Sequence, residues 1–512
     1  MFAKGKEKKP QETVQNIKEI LEKLDIELNE IGYECMNGLY SVQLYDPMCN
    51  WRVWGKGTDP EWALASAYGE AVERLSNFVI YKSQWDYSDG PKWPFEKRLP
   101  INALWDSRDA ADDFSKLCIH ENDTDKEAFL EEYLGTKELS FIPYTSLKTG
   151  KEVYLPEDVI NCMSGSNAMA AGNTQEEALC QALCETAERY SKFQIILNGY
   201  TPPEIDRKLL EELAPEALNI INEAEKKFDL KIVVRDASLL KDLPVLNVVF
   251  FDKSKELYAS RFGAHPLFNV ALERCLTEMA QGKSDLKTKD YMLPVHSDDA
   301  NVLSFRNLAD SFRNDFADMP KTFFEGGITW EFSRWKNFGD SNSEWNKSLI
   351  NSLLKLSGDV YYRKTSFLGL FTVRLYVPKV SVLPFRIGKN NLQNAYLREI
   401  IHSPERLSQI KTAAEAKRLL NVLTDLNSSV GNRSDNLLLE SDIGISADNL
   451  KKLLLKIVDG SDKDALENHF GISPFMREIR LLRKQEHEEK ILLSRKEQEK
   501  KLRKRLLETE GK

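Results

Sequence analysis

Residues 57–74 read GTDPEWALASAYGEAVER and residues 172–189 read GNTQEEALCQALCETAER. They align without a gap and are identical at eight of eighteen positions, the closing E-x-x-E-R included. No other feature constrains the chain so strongly, because this repeat copies both faces of a helix. An α-helix turns ~100° per residue, so positions i, i+4 and i+7 share a face. In the first copy that face holds Ser66, Glu70 and Glu73, and Leu64, Tyr68, Ala71, Val72 and Leu75 lie opposite. In the second it holds Gln181, Glu185 and Glu188, with Glu177 one turn earlier, against Leu179, Ala182, Leu183 and Tyr190. A third segment, FNVALERCLTEMAQGK, aligns through its Ala-Leu pair. It places Arg274, Glu278 and Gln281 at the same three positions, against Leu272, Leu276 and Met279. Solvated carboxylates on a surface helix would explain any one of these. Three in register, each after a Gly-containing turn, predict a polar face with a chemical task.

Converging carboxylates repel and are costly to desolvate unless a cation joins them. Hard divalent ions, Mg²⁺ above all, take oxygen ligands and commonly keep a phosphate as well. Arg274 and Arg189 suit phosphate oxygens through bidentate guanidinium contacts. The pattern therefore predicts a magnesium–nucleotide site without a P-loop. Gly55-Lys56-Gly57-Thr58 contains GK but fails the P-loop spacing. H-E-x-x-H and G-x-S-x-G are both absent, and the six histidines are isolated.

The chain has 512 residues, enough for two or three domains. Its 71 basic and 80 acidic residues give a net charge of −9, which argues against a general nucleic-acid surface. No apolar run approaches the ~20 residues of a membrane span. The start, MFAKGKEKKPQETVQ, has no apolar segment after its basic residues and is not expected to be a secretory signal. Seven scattered cysteines without C-x-x-C or C-x-x-x-C-x-x-C predict free thiols in a cytoplasmic protein that is not itself a radical iron–sulfur enzyme. Cys180 and Cys184, one helical turn apart, are expected to be core filler.

Periodicity predicts a helix over 12–25, a strand over 38–46, a Gly-rich turn at 55–57 and the first E-x-x-E-R helix over roughly 59–80. Residues 84–130 read as a loop-rich insertion. Strands are expected at 231–238, 244–252, 256–264 and 370–378, with a third helix over roughly 267–282. Residues 401–475 read as a helical region. Residues 476–512 hold thirteen Lys/Arg and eight Asp/Glu and read as one long charged helix. Its thin apolar stripe predicts a solvated tail, a dimer contact or a tether to an acidic or RNA-bearing partner.

GKGTDPEWALASAYGEAVER, SNAMAAGNTQEEALCQALCETAER and FGAHPLFNVALERCLTEMAQGK resemble, in order and spacing, the three signature blocks of the YcaO superfamily. The resemblance covers roughly residues 1–400 and is strongest to its stand-alone bacterial branch. It implies a mixed α/β (α+β) fold in which repeated strand–turn–helix units form a helix-lined nucleotide site, with a helical C-terminal region added. It implies ATP and Mg²⁺ as cofactors, and activation of a peptide backbone amide by O-phosphorylation. Carried over by position, it makes Glu70, Glu73, Glu185 and Glu188 the magnesium carboxylates. Ser66, Asn173, Glu177, Arg189, Arg274, Glu278 and Gln281 would line the nucleotide, joined by Lys6 and Thr13 near the N-terminus. No catalytic nucleophile is identified. The implied partners are a peptide or protein substrate such as a small-subunit ribosomal protein, a radical-type methylthiotransferase that the chain would assist as an accessory factor in β-methylthiolation, and a second copy in a homodimer. Azoline-forming members end in Pro-x-Pro-x-Pro and this sequence ends in LETEGK, so cyclodehydration is the lesser expectation. An ATP-binding scaffold without amide chemistry, or a thioamide-forming enzyme, is the alternative.

Overall fold

The computed structural model describes residues 5–79, 93, 95–117, 138–381, 407–420, 447–470, 493 and 496–509, with short breaks inside several of these spans. The elements alternate along the chain. Helix α1 (Pro10–Glu22) precedes strands β1 (Asn29–Met36), β2 (Leu39–Asp46) and β3 (Trp51–Gly57), then α2 (Pro60–Ser76). Next come β4 (Lys97–Pro100), α3 (Arg108–Leu117), β5 (Glu138–Ser146), β6 (Glu152–Pro156), α4 (Glu157–Ser164), β7 (Met169–Gly172) and the long α5 (Gln175–Asn198). Helices α6 (Arg207–Leu213) and α7 (Pro215–Phe228) lead into β8 (Leu230–Asp236), β9 (Val245–Asp252), β10 (Leu257–Ala264) and α8 (Phe268–Ala280). The short β11 (Leu293–Pro294), α9 (Asn342–Ser357), β12 (Tyr361–Thr365) and β13 (Phe371–Tyr376) follow, and α10 (Ala447–Val458) and α11 (Ala465–Phe470) lie beyond.

The strands form three antiparallel sheets, ordered β1-β2-β3, β11-β10-β9-β8 and β4-β5-β12-β13-β7, with β6 paired to β5. This is the mixed α/β architecture the resemblance implies. Each signature helix leaves a strand and folds back against it: α2 against β3, α5 against β7, α8 against β10. The start of α2 is fixed by Asp59, whose side chain accepts from the Trp62 amide at 2.9 Å, with Pro60 in the first turn. Thr174 caps α5 by accepting from the Glu177 amide at 3.1 Å, and Gly199 ends that helix in the left-handed region.

The apolar faces read from the repeat are the buried ones. Ala71, Val72 and Leu75 of α2, Ala182 and Leu183 of α5, and Leu272, Leu276 and Met279 of α8 are almost wholly removed from solvent. Leu64 and Tyr190 are only partly covered. The α2 face belongs to a core shared with α1, the first sheet and β5. The α5 face joins β9, β10, α9 and β13, and the α8 face joins α7, β8 and β9.

Three expectations are corrected. Gly55 and Gly57 are not a turn but the end of β3. Residues 95–117 of the expected loop-rich insertion form β4, a 3₁₀ turn (Ile101–Asp106) and α3, and β4 pairs with β5. Residues 84–92 and 118–130 lie outside the described residues. The charged C-terminal segment is not a solvated tail where it is described. Residues 496–509 are helical, and Leu502 and Leu506 are fully buried in the core of α1 and α2. Arg505 Nε donates to the Phe367 carbonyl at 2.7 Å, and Glu499 and Arg503 form a buried ion pair. A narrow apolar stripe with Leu502 and Leu506 thus packs on the core despite the surrounding charges. The described parts of 401–475 gather Leu407, Leu419, Leu450, Leu454 and Leu466 into a separate small core. Among the described residues no helix is long and apolar enough to cross a membrane.

Candidate functional site

Helices α2, α5 and α8 turn their polar faces toward one open cleft of about 850 Å³. All thirteen residues singled out from the sequence line it. Ser66, Glu70 and Glu73 come from α2; Glu177, Glu185, Glu188 and Arg189 from α5; Arg274 and Glu278 from α8, with Gln281 as its C-cap residue. Asn173 stands just before the α5 cap, Thr13 on α1 and Lys6 on the segment preceding it.

The helices come this close because glycines remove side chains between them and their strands. A Cβ on Gly57 would stand 2.6 Å from the Ala63 nitrogen, and one on Gly172 would stand 2.5 Å from the Ala178 nitrogen. These are the same positions of the two repeat copies. The third unit keeps the other glycine of β3, since Gly263 corresponds to Gly55. A Cβ on Gly263 would lie 2.5 Å from the Ala271 carbonyl oxygen.

Contacts order the cleft from end to end. At one end the N-terminal segment docks on the start of α5. Lys6 Nζ meets Glu177 Oε1 at 3.0 Å, the Glu7 amide donates to Glu177 Oε2 at 3.2 Å, and Thr13 Oγ1 donates to Asn173 Oδ1 at 2.9 Å. Asn342 on α9 holds this segment by donating to the Gly5 carbonyl and to Glu7. Further in, Arg274 bonds Gln181 and donates to the Ala264 carbonyl at 2.7 Å. In the middle Arg74 pairs with Glu73 at 3.1 Å and Glu70 at 3.3 Å. Arg189 sits 3.8 Å from Glu185, whose other oxygen accepts from the Ala168 amide at 3.1 Å. At the far end Lys56 pairs with Glu278 and donates to Gln281 at 3.3 Å, and Gln281 in turn donates to the Trp54 carbonyl.

Electrostatic crowding is greatest in the middle. Burial, and then the nearby Glu185 and Glu70, push the Glu73 carboxyl up to about 8 despite the adjoining Arg74. Burial opposes the charge on Arg74, but Glu73, Glu70 and Glu185 outweigh it and raise the guanidinium above its usual range. Burial, followed by Arg261, lowers the Lys283 amine to about 7.

The four proposed magnesium carboxylates share the cleft, yet among the described residues no three His, Cys, Asp or Glu side chains converge closely enough to hold a metal. Arg74 pairs with Glu70 and Glu73 of its own helix, and Arg189 with Glu185 of its own. The donor set still fits a hard divalent cation, since it is all oxygen and burial with the nearby Glu185 and Glu70 holds the Glu73 carboxyl well above the usual carboxylate range. Cys180 and Cys184 are buried in the α5 core, as expected of filler.

The sequence reading missed Arg74, which pairs with Glu70 and Glu73, and Lys56, which pairs with Glu278. Arg74 was legible, because it closes the first E-x-x-E-R as Arg189 closes the second. Lys56 was discounted with the failed P-loop. It also missed Gln181 as the partner of Arg274, although the repeat puts it at the Ser66 position.

Comparison with known proteins identifies the family. Residues 54–381 match the family described as YcaO cyclodehydratase, ATP- and Mg²⁺-binding. The chain is 30% identical over 416 residues to the ribosomal protein S12 methylthiotransferase accessory factor YcaO of Escherichia coli (strain K12), a match covering 78% of this chain and 70% of that one. It is 30% identical over 394 residues to an uncharacterized protein of Haemophilus influenzae, covering 74% and 66% of the two. Among solved structures, a heterocyclase in complex with substrate and cofactor superposes with a TM-score of 0.50 at 20% identity, over 76% of this chain and 54% of that chain. That likeness concerns the fold.

Proposed function

The chain belongs to the YcaO family, a family that binds ATP and Mg²⁺, and from that premise we propose that its cleft phosphorylates the oxygen of a peptide backbone amide. The observation that carries this reading is the middle of the cleft. Two copies of E-x-x-E-R there bring Glu70, Glu73 and Arg74 against Glu185, Glu188 and Arg189. Carboxylates and arginines gathered in one half-buried cluster suit a metal-bound polyphosphate better than any uncharged ligand.

Glu70, Glu73, Glu185 and Glu188 would hold Mg²⁺, which supplies neutralisation of phosphate charge when bound. Arg74, Arg189 and Arg274 orient phosphate oxygens. Lys6, Thr13, Asn173 and Glu177 form the opposite, uncrowded end and receive the rest of the nucleotide, while Ser66, Glu278 and Gln281 complete the walls. In the transfer, the amide oxygen bonds to the γ-phosphorus as the bond to the β-phosphate oxygen breaks and ADP leaves. An incoming nucleophile then adds to the amide carbon, the carbon–oxygen bond breaks, and phosphate leaves carrying the amide oxygen. Catalysis of this kind is positioning and electrostatics, which suits a site without a protein nucleophile.

The name of the Escherichia coli relative points to modification of ribosomal protein S12, and that small-subunit protein is the proposed substrate or partner. The same name, an accessory factor, favours a second reading in which nucleotide binding regulates a methylthiotransferase without amide chemistry. One experiment separates them. An S12 peptide with ¹⁸O in its backbone amides is incubated with the protein, Mg–ATP and an added sulfide or amine nucleophile. Amide phosphorylation delivers ¹⁸O into the released phosphate. ATP turnover that yields phosphate free of label leaves only the regulatory reading.

A further inference from the structure

Strand β1 is an outer strand, paired among the described residues only with β2. Asn29, Glu30, Ile31, Gly32 and Glu34 are exposed along it, and nothing lies within 4 Å of where a Gly32 Cβ would be. Among the described residues this edge, apart from the Cys35 carbonyl that accepts from Lys227 at 2.7 Å, is available to another strand. Glu30 turns to the helix side, where Lys18 and Tyr68 hold it at 2.6 Å and 2.7 Å. Alternation therefore puts Ile31 and Tyr33 on the other face.

That face leads to the cleft. Register aligns Ile31 with Gln43 and Gln43 with Trp54, and aligns Tyr33 with Ser41 and Ser41 with Lys56. Trp54 and Lys56 line the cleft, and the Tyr33 and Trp54 rings meet at 5.5 Å between centroids. The Trp54 ring is seated against Gly282, where any Cβ would come within 3.1 Å of it. A half-exposed apolar shelf thus runs from the β1 edge to the Lys56 end of the cleft, opposite the N-terminal segment. Ile31, at 43% exposure, is its outer end.

We infer that an extended peptide pairs with the outer edge of β1, rests an apolar side chain on Ile31 and Tyr33, and passes Trp54 into the cleft. That the occupant is a peptide rests on the amide-activation reading; the open edge and the shelf do not. A peptide strand added outside β1 lies three strand spacings from β3, ~14 Å, which about four extended residues cross. Backbone pairing supplies affinity in this mode and the shelf supplies side-chain preference. Exposed Glu27 and Glu34 at either end favour a peptide carrying Lys or Arg.

The test selects random 12-residue displayed peptides on the full chain with Mg–ATP present. Enriched peptides are expected to carry an aromatic or aliphatic residue beside basic ones. They should bind Ile31→Lys and Tyr33→Ala at least tenfold more weakly, with thermal melts showing both variants folded. Equal binding to the variants, or no enrichment, overturns the inference. So does a wild-type dimer that Ile31→Lys splits, since a second copy then covers the edge. Mg–ATP affinity of the wild type is read separately. Its absence with edge-bound peptides present removes the amide-activation reading and leaves the docking edge standing.

Discussion

Gly172 lies so close to Ala178 that a Cβ on the glycine would stand 2.5 Å from the alanine nitrogen. The contact sets how deeply α5 sits on β7, and with it the positions of Asn173 and Glu177, which hold Thr13 and Lys6. Gly172→Ala must push the helix away. Overpacking of this kind costs about 1–3 kcal/mol. Nucleotide affinity should fall together with stability, because the helix that moves carries the site. Chemical denaturation and calorimetry with Mg–ATP check this. A variant as stable and as tight as the wild type would show that the strand yields instead.

Glu73 makes the site sensitive to pH. Its folded-state value, about 8, lies above that of an ordinary carboxyl. The folded apo protein then holds a proton that the unfolded chain releases, so this group's contribution to stability is lost as pH rises from about 4.5 to 8. Glu73→Gln should flatten that part of the stability–pH curve. A bound divalent cation should displace the proton, so the heat of Mg²⁺–nucleotide binding near pH 7 will depend on the buffer's ionisation enthalpy. The dependence should disappear in Glu73→Gln. Buffer-independent heat in the wild type would contradict the assignment.

Arg74 contacts both Glu70 and Glu73 and occupies the repeat position of Arg189. Removing one charge-stabilising donor commonly lowers turnover on the order of 100-fold. Arg74→Ala and Arg189→Ala should therefore lose turnover alike, and Arg74→Lys should recover only part of it, since lysine cannot reproduce the forked contact. Steady-state ATP hydrolysis measures each. A fully active Arg74→Ala would reduce the residue to a structural counter-ion.

What was legible follows from where the information sits. The polar and apolar faces of α2, α5 and α8 were readable because helical periodicity writes both into one local segment. Arg74 was readable in principle and was missed because only one of two equivalent arginines was considered. β3 was misread because Gly55 and Gly57 signal a turn locally, whereas their cause is a helix packed against the strand. Residues 84–130 read as loop-rich because Trp, Asp, Pro and Gly crowd them, whereas pairing with β5 makes Lys97–Pro100 a strand. Such long-range causes leave no local signature.

Cys180 and Cys184 are buried from solvent in the α5 core, with Arg274 of the cleft beside Cys184. The double variant Cys180→Ala/Cys184→Ala should lose roughly 1–2 kcal/mol of stability as two small buried groups are trimmed. ATP turnover should stay within a few-fold. Loss of turnover in a folded double variant, seen by circular dichroism and kinetics together, would give the thiols a chemical role.

The C-terminal helix offers the sharpest contrast between charge and packing. Basic residues dominate 476–512, yet Leu502 and Leu506 are completely buried against the core beneath α1 and α2. Arg505 also ties the Phe367 carbonyl, three residues before Leu370, which lines the cleft. Leu502→Ala should cost about 2–5 kcal/mol, as emptying a well-packed leucine site does. A solvated tether would cost nothing measurable. Arg505→Ala should disturb the 367–370 turn and weaken Mg–ATP binding by several-fold with a smaller loss of stability. Two titrations separate the roles: thermal unfolding for Leu502→Ala, and calorimetry with Mg–ATP for Arg505→Ala on protein shown to be folded. An unchanged melting temperature in Leu502→Ala would mean that the helix does not hold the core in solution. Its charges would then be available for a partner bearing phosphates, and binding to that partner would weaken with added salt.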